Sequence, residues 1–306
     1  VFALGAHYRS KRRFGADYTP VAFYLLIPTF TMLILFNYYP AISGLYHAFT
    51  EWEGGNPATF NGLDNFRKML DDVYLFAGLK NMLILVVCAV IKATVVPFLV
   101  AEMLFCLRSP KLKAFFRGAF LIPMVVPGIV MILIWKFVYD PNSGLLNSVL
   151  ELAGMPGLQR SWLGDPGTAL PSLIMIGFPW VGAIGMLIYL AGLQTISTSM
   201  FEAHRLESDS IWSRIRHIDI PLVGAQTKLL VILALIQTLQ DFFTMLILTD
   251  GGPGMATMVP ALRMYYAAFQ FSHFGYAAAV GVVLFILILI ITFINMKLWK
   301  TENSCE

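Results

Sequence analysis

Apolar residues dominate six stretches of this 306-residue chain, and each stretch is long enough to form a helix that crosses a membrane. The apolar core of a bilayer requires about 20 mostly apolar residues in helical conformation. The pattern therefore predicts an all-α, polytopic membrane protein with six transmembrane helices. They lie at about residues 21–49, 80–105, 115–138, 170–193, 223–249 and 276–298.

Prolines interrupt two of the predicted helices. The first contains Pro28 and Pro40, and we expect a kink or an early end near Pro40 because proline lacks a backbone N–H and clashes with the preceding turn. The third contains the sequence LIPMVVPGIV, whose two prolines predict a broken or bent helix. Membrane proteins tolerate such breaks where neighbouring groups or water satisfy the freed carbonyls.

One polar segment, residues 202–221 with the sequence EAHRLESDSIWSRIRHIDIP, separates the fourth and fifth predicted helices. Its apolar residues recur at helical spacing and leave charged residues on another face. The pattern predicts two short helical pieces joined near Ser208–Asp209, with an N-cap supplied by one of the residues 197–199. The segment either lies on the bilayer surface or contacts another protein.

Composition supports the membrane assignment. Hydrophobic residues make up 58% of the chain and charged residues 13%, with a mean hydropathy of +0.72, whereas soluble domains are nearer half apolar and a quarter charged. The net charge of +3 does not suggest a nucleic-acid partner. The three cysteines and five histidines show no disulfide or metal spacing, so no metal site is predicted.

Lysine and arginine predict the orientation, because they are enriched in cytoplasmic loops. Four occur in the N-terminal tail, four in the 106–117 turn, three in the polar segment and two near the C-terminus, while the opposite loops carry fewer. Both termini are therefore expected in the cytoplasm. The predicted organisation is a tail at 1–20 without a signal-peptide pattern, a membrane domain at 21–300 and a tail at 301–306.

The polar segment resembles the signature loop of binding-protein-dependent ABC importer permeases, which reads Glu-Ala-Ala, two residues, Asp-Gly-Ala, a spacer and Ile-x-Leu-Pro. Glu202 and Ala203 match directly, Glu207 stands at the Asp position, and residues 218–221 match the end. Three positions depart, and Ser208 at the Gly position puts the turn geometry in doubt because left-handed backbone costs a non-glycine residue about 1–2 kcal/mol.

Three further stretches are similar to the carbohydrate-uptake group of that family, the maltose, glycerol-phosphate and alginate type. They are FNGLDNF at 60–66, LIPMVVPGIVMILIWKFVYDPNSGLLN at 121–147 and LTDGGPG at 248–254. The resemblance covers most of residues 20–300. It implies the type I ABC importer permease fold, a second related permease subunit, two ATPase subunits that bind ATP and Mg²⁺, and an external solute-binding protein delivering a sugar.

The resemblance also implies the role of the polar segment, which docks as a coupling helix in a groove of an ATPase subunit. Phe201, Ala203 and Leu206 would fill the groove, and Glu202 would pair with a basic residue there. The remaining predicted contact residues are His204, Arg205, Glu207 and Ser208. Nucleotide is expected on the partner, since this chain has no G-x-x-x-x-G-K-[ST] motif.

Polar residues within the apolar stretches are candidates for the substrate path, because an ionisable residue at mid-span is costly and functional by default. Gln237, Gln240 and Asp241 lie in the fifth stretch, and the spacing of Gln237 and Asp241 predicts a shared helix face. Lys92 lies near the middle of the second stretch. It forms either a structural ion pair with Asp241 or part of the path.

Aromatic rings and amides bind sugars by stacking and hydrogen bonding, and four more residues are candidates on that basis: Trp135, Trp180, Tyr189 and Gln194. Tryptophan and tyrosine also gather at membrane interfaces without binding a substrate. The Gly/Pro-rich loops at 139–169 and 250–275 are candidates for contact with the binding protein.

Three alternatives remain open. The chain could be an ion-coupled secondary transporter with Lys92 and Asp241 as its coupling pair, a permease for a solute other than a sugar, or a scaffold. The amides and aromatic rings favour a neutral sugar, although Lys92 could serve an acidic one. No catalytic constellation is present in the sequence, so the chain is predicted not to be an enzyme.

Overall fold

The computed structural model describes residues 19–55 and 57–298 of the chain. The predicted terminal tails, 1–20 and 301–306, lie outside these residues apart from the first two residues of the first helix. The six-helix prediction is confirmed for the described part. By length and composition, three helices could cross a membrane, and the number rises to six if each of three bent helix pairs counts as one span.

The first span is a helix interrupted by a π-helical turn. Helix α1 (Thr19–Leu33) leads into that turn at Ile34–Tyr38, and α2 (Tyr39–His47) completes the span. The helix does not end at Pro40. In the turn before it, a backbone N–H donates to a carbonyl five residues back instead of four, and this wider turn accommodates the proline ring.

A short β hairpin follows the first span. Strand β1 (Thr50–Glu51) pairs antiparallel with β2 (Thr59–Phe60), and helix α3 (Asp64–Leu70) comes next. We call this end of the helix bundle the hairpin end. The amide of Asn65, on α3, donates to the carbonyl of Thr50 at 2.8 Å, which holds the hairpin against the helix.

The second span is the long helix α4 (Val73–Cys106), which begins seven residues before the predicted start at residue 80. The Asp72 carboxylate accepts a backbone N–H of the first turn and caps the helix. Asn81, the second residue of the predicted stretch, donates to the carbonyls of Met255 and Met258 at 2.9 and 3.0 Å. Its amide is satisfied by tertiary contacts, so the helix continues past it.

The third span is broken, as its prolines predicted. Helix α5 (Pro110–Leu121) passes into a 3₁₀ turn at Ile122–Val125, and α6 (Gly128–Val138) then leaves at an angle of 89°. Helix α7 (Leu145–Leu152) lies in the loop that follows.

The fourth predicted helix, 170–193, is wrong as a continuous element. Helix α8 (Pro166–Met175) ends before a non-helical connection at 176–182, and α9 (Ala183–Gln194) begins after it. Glycine and proline stop the helix although the stretch is apolar. Three residues of the connection have positive φ: Gly177 at +78°, Trp180 at +53° and Gly182 at +57°.

The polar segment forms the sharp turn between the fourth and fifth spans. Helix α9 bends by 78° into α10 (Thr198–Glu207). Helix α11 (Ile211–Arg214), a π-helical turn at Ile215–Asp219 and α12 (Ile220–Leu222) follow. The two helical pieces predicted on either side of Ser208–Asp209 are therefore confirmed.

The fifth span is shorter than predicted. Helix α13 (Gly224–Gln240) leaves α12 at 66° and ends at Asp241, and α14 (Phe243–Leu248) is a separate short helix. The predicted continuous helix at 223–249 is therefore wrong at residues 241–242, where the chain leaves the helical conformation. Helices α15 (Pro260–Phe269) and α16 (Phe274–Leu298) complete the described chain, and α16 confirms the sixth predicted span.

Helix α4 contacts most of the bundle and organises its core. Near the polar segment, one face of α9 packs on α4 and α13 in a cluster of buried side chains: Ala101, Leu104, Met186, Tyr189, Leu190, Leu193, Val223 and Leu230. The first span contributes little to the core, since its most apolar 18-residue window has no buried residue.

Candidate functional site: a polar segment, a cavity between broken spans and a hairpin-end cleft

The turn inside the polar segment needs no left-handed residue. Ser208 has extended backbone, with φ −156° and ψ 132°. The Ser210 side chain then caps α11 by accepting the N–H of Ser213 at 3.4 Å. The reshaping expected from the missing glycine is therefore a change to extended backbone, which serine adopts without strain.

Only some of the residues of α10 that were predicted to contact an ATPase subunit are exposed. Glu202, Ala203, Arg205 and Leu206 are exposed, and Leu206 is 90% exposed. Phe201 is half-buried, and its ring lies 5.9 Å from that of Phe105 on α4. The ring remains partly accessible, so the filling of a partner's groove by Phe201 stays a prediction.

The other predicted contact residues lie around a cleft of about 370 Å³ between α10 and α11. His204 and Ser208 are half-buried at its wall, while Glu207 is exposed at the end of α10. The cleft also takes its lining from Glu202 and Arg205. The outer face of α10 thus combines one large apolar side chain with charges of both signs.

Arg214 joins the polar segment to α4, and sequence reasoning did not single it out. Its guanidinium donates to the Glu102 carboxylate and to the Asp219 carboxylate, both at 2.8 Å, and to the Cys106 thiol at 3.3 Å. Glu102 is 4% exposed and Asp219 is not exposed at all. Charged residues in so apolar a chain indicate that they have partners. The sequence does not show which ones pair, because Arg214 and Glu102 are 112 residues apart.

A second site, which we call the span cavity, lies where the third and fourth spans break. It has a volume of about 560 Å³. Trp135, Trp180 and Gln237, three of the predicted path residues, line it together. Met124, Met131 and Phe178 contribute much of the remaining wall. Two indole rings, flexible thioethers and one amide suit a ligand that has both apolar faces and hydroxyl groups.

Three other predicted path residues, Tyr189, Gln194 and Gln240, lie away from the span cavity. Tyr189 is buried, with its hydroxyl donating to the Thr227 hydroxyl at 3.0 Å, so it is a core residue. Gln194 is exposed at the end of α9, near the polar segment. Gln240 is exposed at the last position of α13.

Asp241 does not share a helix face with Gln237. The chain leaves the helix at Asp241, whose ψ is 116°, so the predicted four-residue spacing no longer applies. Its carboxylate instead accepts the backbone N–H of Thr244 at 3.2 Å and caps α14. The expectation of a shared face failed because the helix breaks at this residue.

Lys92 does not pair with Asp241. Its ammonium donates to the carbonyl of Ile174, in the last turn of α8, at 2.9 Å, and lies 5.8 Å from the centre of the Trp180 ring. In the part of the chain that the structure describes, the ion pairs join other residues. The predicted structural pair is therefore wrong for this conformation.

The hairpin end carries a polar cleft of about 520 Å³. Its centre is Asp72, which accepts hydrogen bonds from Arg263 at 2.6 Å and from the Tyr276 hydroxyl at 2.5 Å. Burial raises the pKa of the Asp72 carboxyl, but the hydrogen bonds from Tyr276, Arg263 and the backbone outweigh it and hold the pKa below its usual value. The cleft joins the start of α4 to α15 and α16.

The Gly/Pro-rich loops at this end are built around internal hydrogen bonds. The Asn147 amide donates to the carbonyls of Pro141 and Arg160 and accepts the indole N–H of Trp162 at 2.7 Å. Thr257, which is fully buried, donates to the carbonyl of Gly252 at 2.8 Å. The loops therefore present a defined surface.

Comparisons with known proteins agree with the resemblance described above. The family model described as "Binding-protein-dependent transport system inner membrane component" matches residues 93–299. The "Probable ABC transporter permease protein YurN" of Bacillus subtilis (strain 168) is 33% identical over 288 residues, covering 92% of this chain and 97% of the relative. The "Probable starch degradation products transport system permease protein AmyD" of Thermoanaerobacterium thermosulfurigenes is 28% identical over 281 residues, covering 91% and 93%.

A solved structure shares the fold. It is the crystal structure of a bacterial ABC transporter involved in the import of the acidic polysaccharide alginate. The TM-score is 0.78 at 22% sequence identity, over 92% of this chain and 96% of that chain.

Proposed function

Because this chain belongs to the family of binding-protein-dependent transport system inner membrane components, we propose that it forms one half of the path through which an ABC importer moves a sugar or oligosaccharide. Membership confirms the resemblance predicted from the sequence, and with it the prediction of a transport subunit rather than an enzyme. The observation that carries the sugar assignment is the span cavity, where indole rings and an amide meet between broken helices.

The printed names of relatives support a carbohydrate substrate. One names starch degradation products, and the solved structure with the same fold concerns alginate. Sugars are recognised by hydrogen bonds to hydroxyl groups and by stacking of their apolar faces on aromatic rings. Trp135, Trp180 and Gln237 supply both kinds of contact in the span cavity.

The importer would contain a second, related permease subunit that completes the path. The first span, whose most apolar window has no buried residue, is free to contact lipid, and a sister subunit would cover part of the same surface. We place the assembly in a bacterial or archaeal cell membrane, with both termini and the polar segment in the cytoplasm.

Two ATPase subunits would bind ATP and Mg²⁺, and one of them would dock on the outer face of α10. Leu206 and Ala203 would enter an apolar groove there, and Glu202 would pair with a basic residue at its edge. Support comes from the exposure of these three side chains. A solute-binding protein would release its sugar at the hairpin end, where the loops present an ordered surface.

Movement of the ATPase subunits would reach the spans through the Arg214 network. The guanidinium holds Glu102 of α4 and Asp219 of the polar segment in one cluster, so a displacement of α10 and α11 would pull directly on α4. Closure of the ATPases around ATP would open the span cavity toward the hairpin end, and hydrolysis would reset it.

The test is the ATPase activity of the complex co-purified in lipid with its binding protein and a sugar panel. We expect an ATPase to co-purify and a cognate sugar to stimulate it. Glu202→Ala is expected to reduce sugar-stimulated ATPase and uptake by about 30-fold or more, because breaking a desolvated charge pair costs about 2–5 kcal/mol. Glu151→Ala, an exposed glutamate on α7 at the other end of the bundle, is the matched control for docking and should co-purify the ATPase subunits as wild type does.

A different result would favour the ion-coupled alternative. If no ATPase co-purifies, and uptake instead follows an ion gradient and is abolished by Asp241→Asn, the importer assignment fails.

A further inference from the structure

Lys92 places a positive charge within a membrane-spanning helix, and none of the ion pairs among the described residues includes it. Its ammonium donates a hydrogen bond to the carbonyl of Ile174 at 2.9 Å. A neutral side chain of similar length would pack at this position without the cost of inserting a charge. The positive charge of Lys92 is therefore a candidate for a functional role.

Lys92 lies one aromatic ring away from the span cavity. The ammonium is 5.8 Å from the centre of the Trp180 ring, and Trp180 lines the cavity. Ala93 and Pro97, on α4 beside Lys92, also line it. Trp180 is thus close to the cation and also borders the space in which a ligand would bind.

The backbone that carries Trp180 differs from the helices on either side. Trp180 has φ +53°, in the left-handed region that non-glycine residues avoid. The connection 176–182 lacks the hydrogen-bond ladder of a helix. A change of φ at Trp180 would relieve strain and move the ring, and the four-carbon side chain of Lys92 would then reach the cavity.

The residues that line the span cavity include no charged side chain. In an apolar surrounding of low effective dielectric, a single cation at its edge would dominate the electrostatic potential. We infer that Lys92 is a specificity residue that selects a sugar carrying a carboxylate or a similar acidic group. The inference rests on the proposed function, since it assigns the substrate class of the same cavity.

A structural rival has a matched control in this chain. Lys92 donates to a carbonyl in the last turn of α8, where a cation stabilises the helix end. Lys136 does the same for α14, donating to the carbonyl of Ile247 at 2.9 Å, and it does not line the span cavity. Substitution of either lysine removes a helix-end cation, but only Lys92 lies against the ring of Trp180 in the cavity wall.

The experiment uses the whole complex in liposomes with its binding protein. Neutral probes are maltose, cellobiose and raffinose, and acidic probes are galacturonate, digalacturonate and cellobiuronate. The variants are Lys92→Gln, Lys92→Arg and Lys136→Gln. Glutamine retains a donor for the carbonyl and loses the charge, while arginine retains the charge.

We expect stimulation of ATPase and uptake by acidic probes only. Lys92→Gln should lower uptake of the acidic sugar by about 30-fold or more, as for a desolvated charge pair, while Lys92→Arg keeps most of it and Lys136→Gln all of it. Stimulation by neutral probes alone overturns the inference and leaves the proposed function intact. Equal losses in Lys92→Gln and Lys136→Gln, or no loss in Lys92→Gln, overturn it as well. If no sugar stimulates the complex, the proposed function itself fails and the inference fails with it.

Discussion

At the scale of single residues, Arg214 is the side chain on which the polar segment depends most. It is the positive group between two buried carboxylates, those of Glu102 and Asp219. Phe201 and Phe105 lie on the same guanidinium, with ring centres 5.7 and 5.8 Å from its central carbon. Charge and aromatic contacts together fix the angle between α10 and α4.

Arg214→Met should destabilise the protein by about 3–5 kcal/mol, because it leaves two carboxylates buried without a counter-charge. Adding Glu102→Gln to this variant should recover part of the loss, since one of the two charges is then removed. Thermal unfolding of the purified complex measures both effects. Arg216→Met, at an exposed position of the polar segment outside the predicted docking contacts, is the control and should change stability by less than about 0.5 kcal/mol.

Leu206 tests docking separately from folding. Leu206→Asp should leave thermal stability unchanged, because the side chain is 90% exposed, and should abolish co-purification of the ATPase subunits. Leu152→Asp is matched closely, with 89% exposure on α7 at the hairpin end, and should retain the ATPase. Equal retention by both variants would contradict the assignment of α10 as the docking helix.

The carboxylate of Asp72 should make the stability of the protein depend on pH in the acid range. The pKa of its carboxyl is below the usual value in the folded state, so its contribution is fully present above the unfolded pKa of about 3.9 and is lost as pH falls through the lower folded value. The unfolding temperature should therefore drop below about pH 4 in wild type. Asp72→Asn should be less stable at pH 7 and show a smaller drop, whereas Asp71→Asn, at an exposed position, should match wild type.

At the scale of elements, the breaks in the helices matter more than the helices themselves. The third and fourth spans break at 122–127 and 176–182, and residues from both breaks line the span cavity. Continuous helices packed at these positions would fill that space with side chains. The irregular backbone is tolerated because it borders a cavity and not lipid.

Gly182→Ala tests this element. Gly182 has φ +57°, and an added Cβ would lie 2.9 Å from the Pro97 ring. We expect a loss of at least about 1–2 kcal/mol from the left-handed backbone alone, together with reduced sugar uptake. Gly118→Ala, within α5 and with open space around the added carbon, should be neutral or slightly stabilising. Melting temperatures and uptake rates of the two variants measure these effects, and equal values for both would contradict the prediction.

Hydropathy predicted the spans because a run of about 20 apolar residues is typical of a helix that crosses a membrane. Helical spacing of apolar residues predicted the division of the polar segment at Ser208. The connection at 176–182 was missed because its residues are as apolar as the helices beside it, so hydropathy does not register the break. The contacts of the Phe201 ring with Phe105 and Arg214 were not predicted, because they join residues of three different helices. The burial of Tyr189 likewise depends on Thr227, from another span.

At the scale of the whole molecule, the polar segment and the span cavity are linked by one helix. Arg214 holds the end of α4 at Glu102, and Ala93 and Pro97 of the same helix line the cavity. At its other end α4 is capped by Asp72, which binds Arg263 of α15. A movement applied at the polar segment therefore reaches both the cavity and the hairpin end through α4.

The most direct test of the account is uptake of a radiolabelled cognate sugar into liposomes that contain the complete complex, with ATP supplied on the side of the polar segment. The account predicts uptake that requires ATP and the binding protein, and a loss of at least about tenfold in Trp180→Ala, which removes a stacking surface from the span cavity. Uptake that proceeds without ATP, or that is unchanged in Trp180→Ala, would contradict the claim that this chain forms the sugar path of an ATP-driven importer.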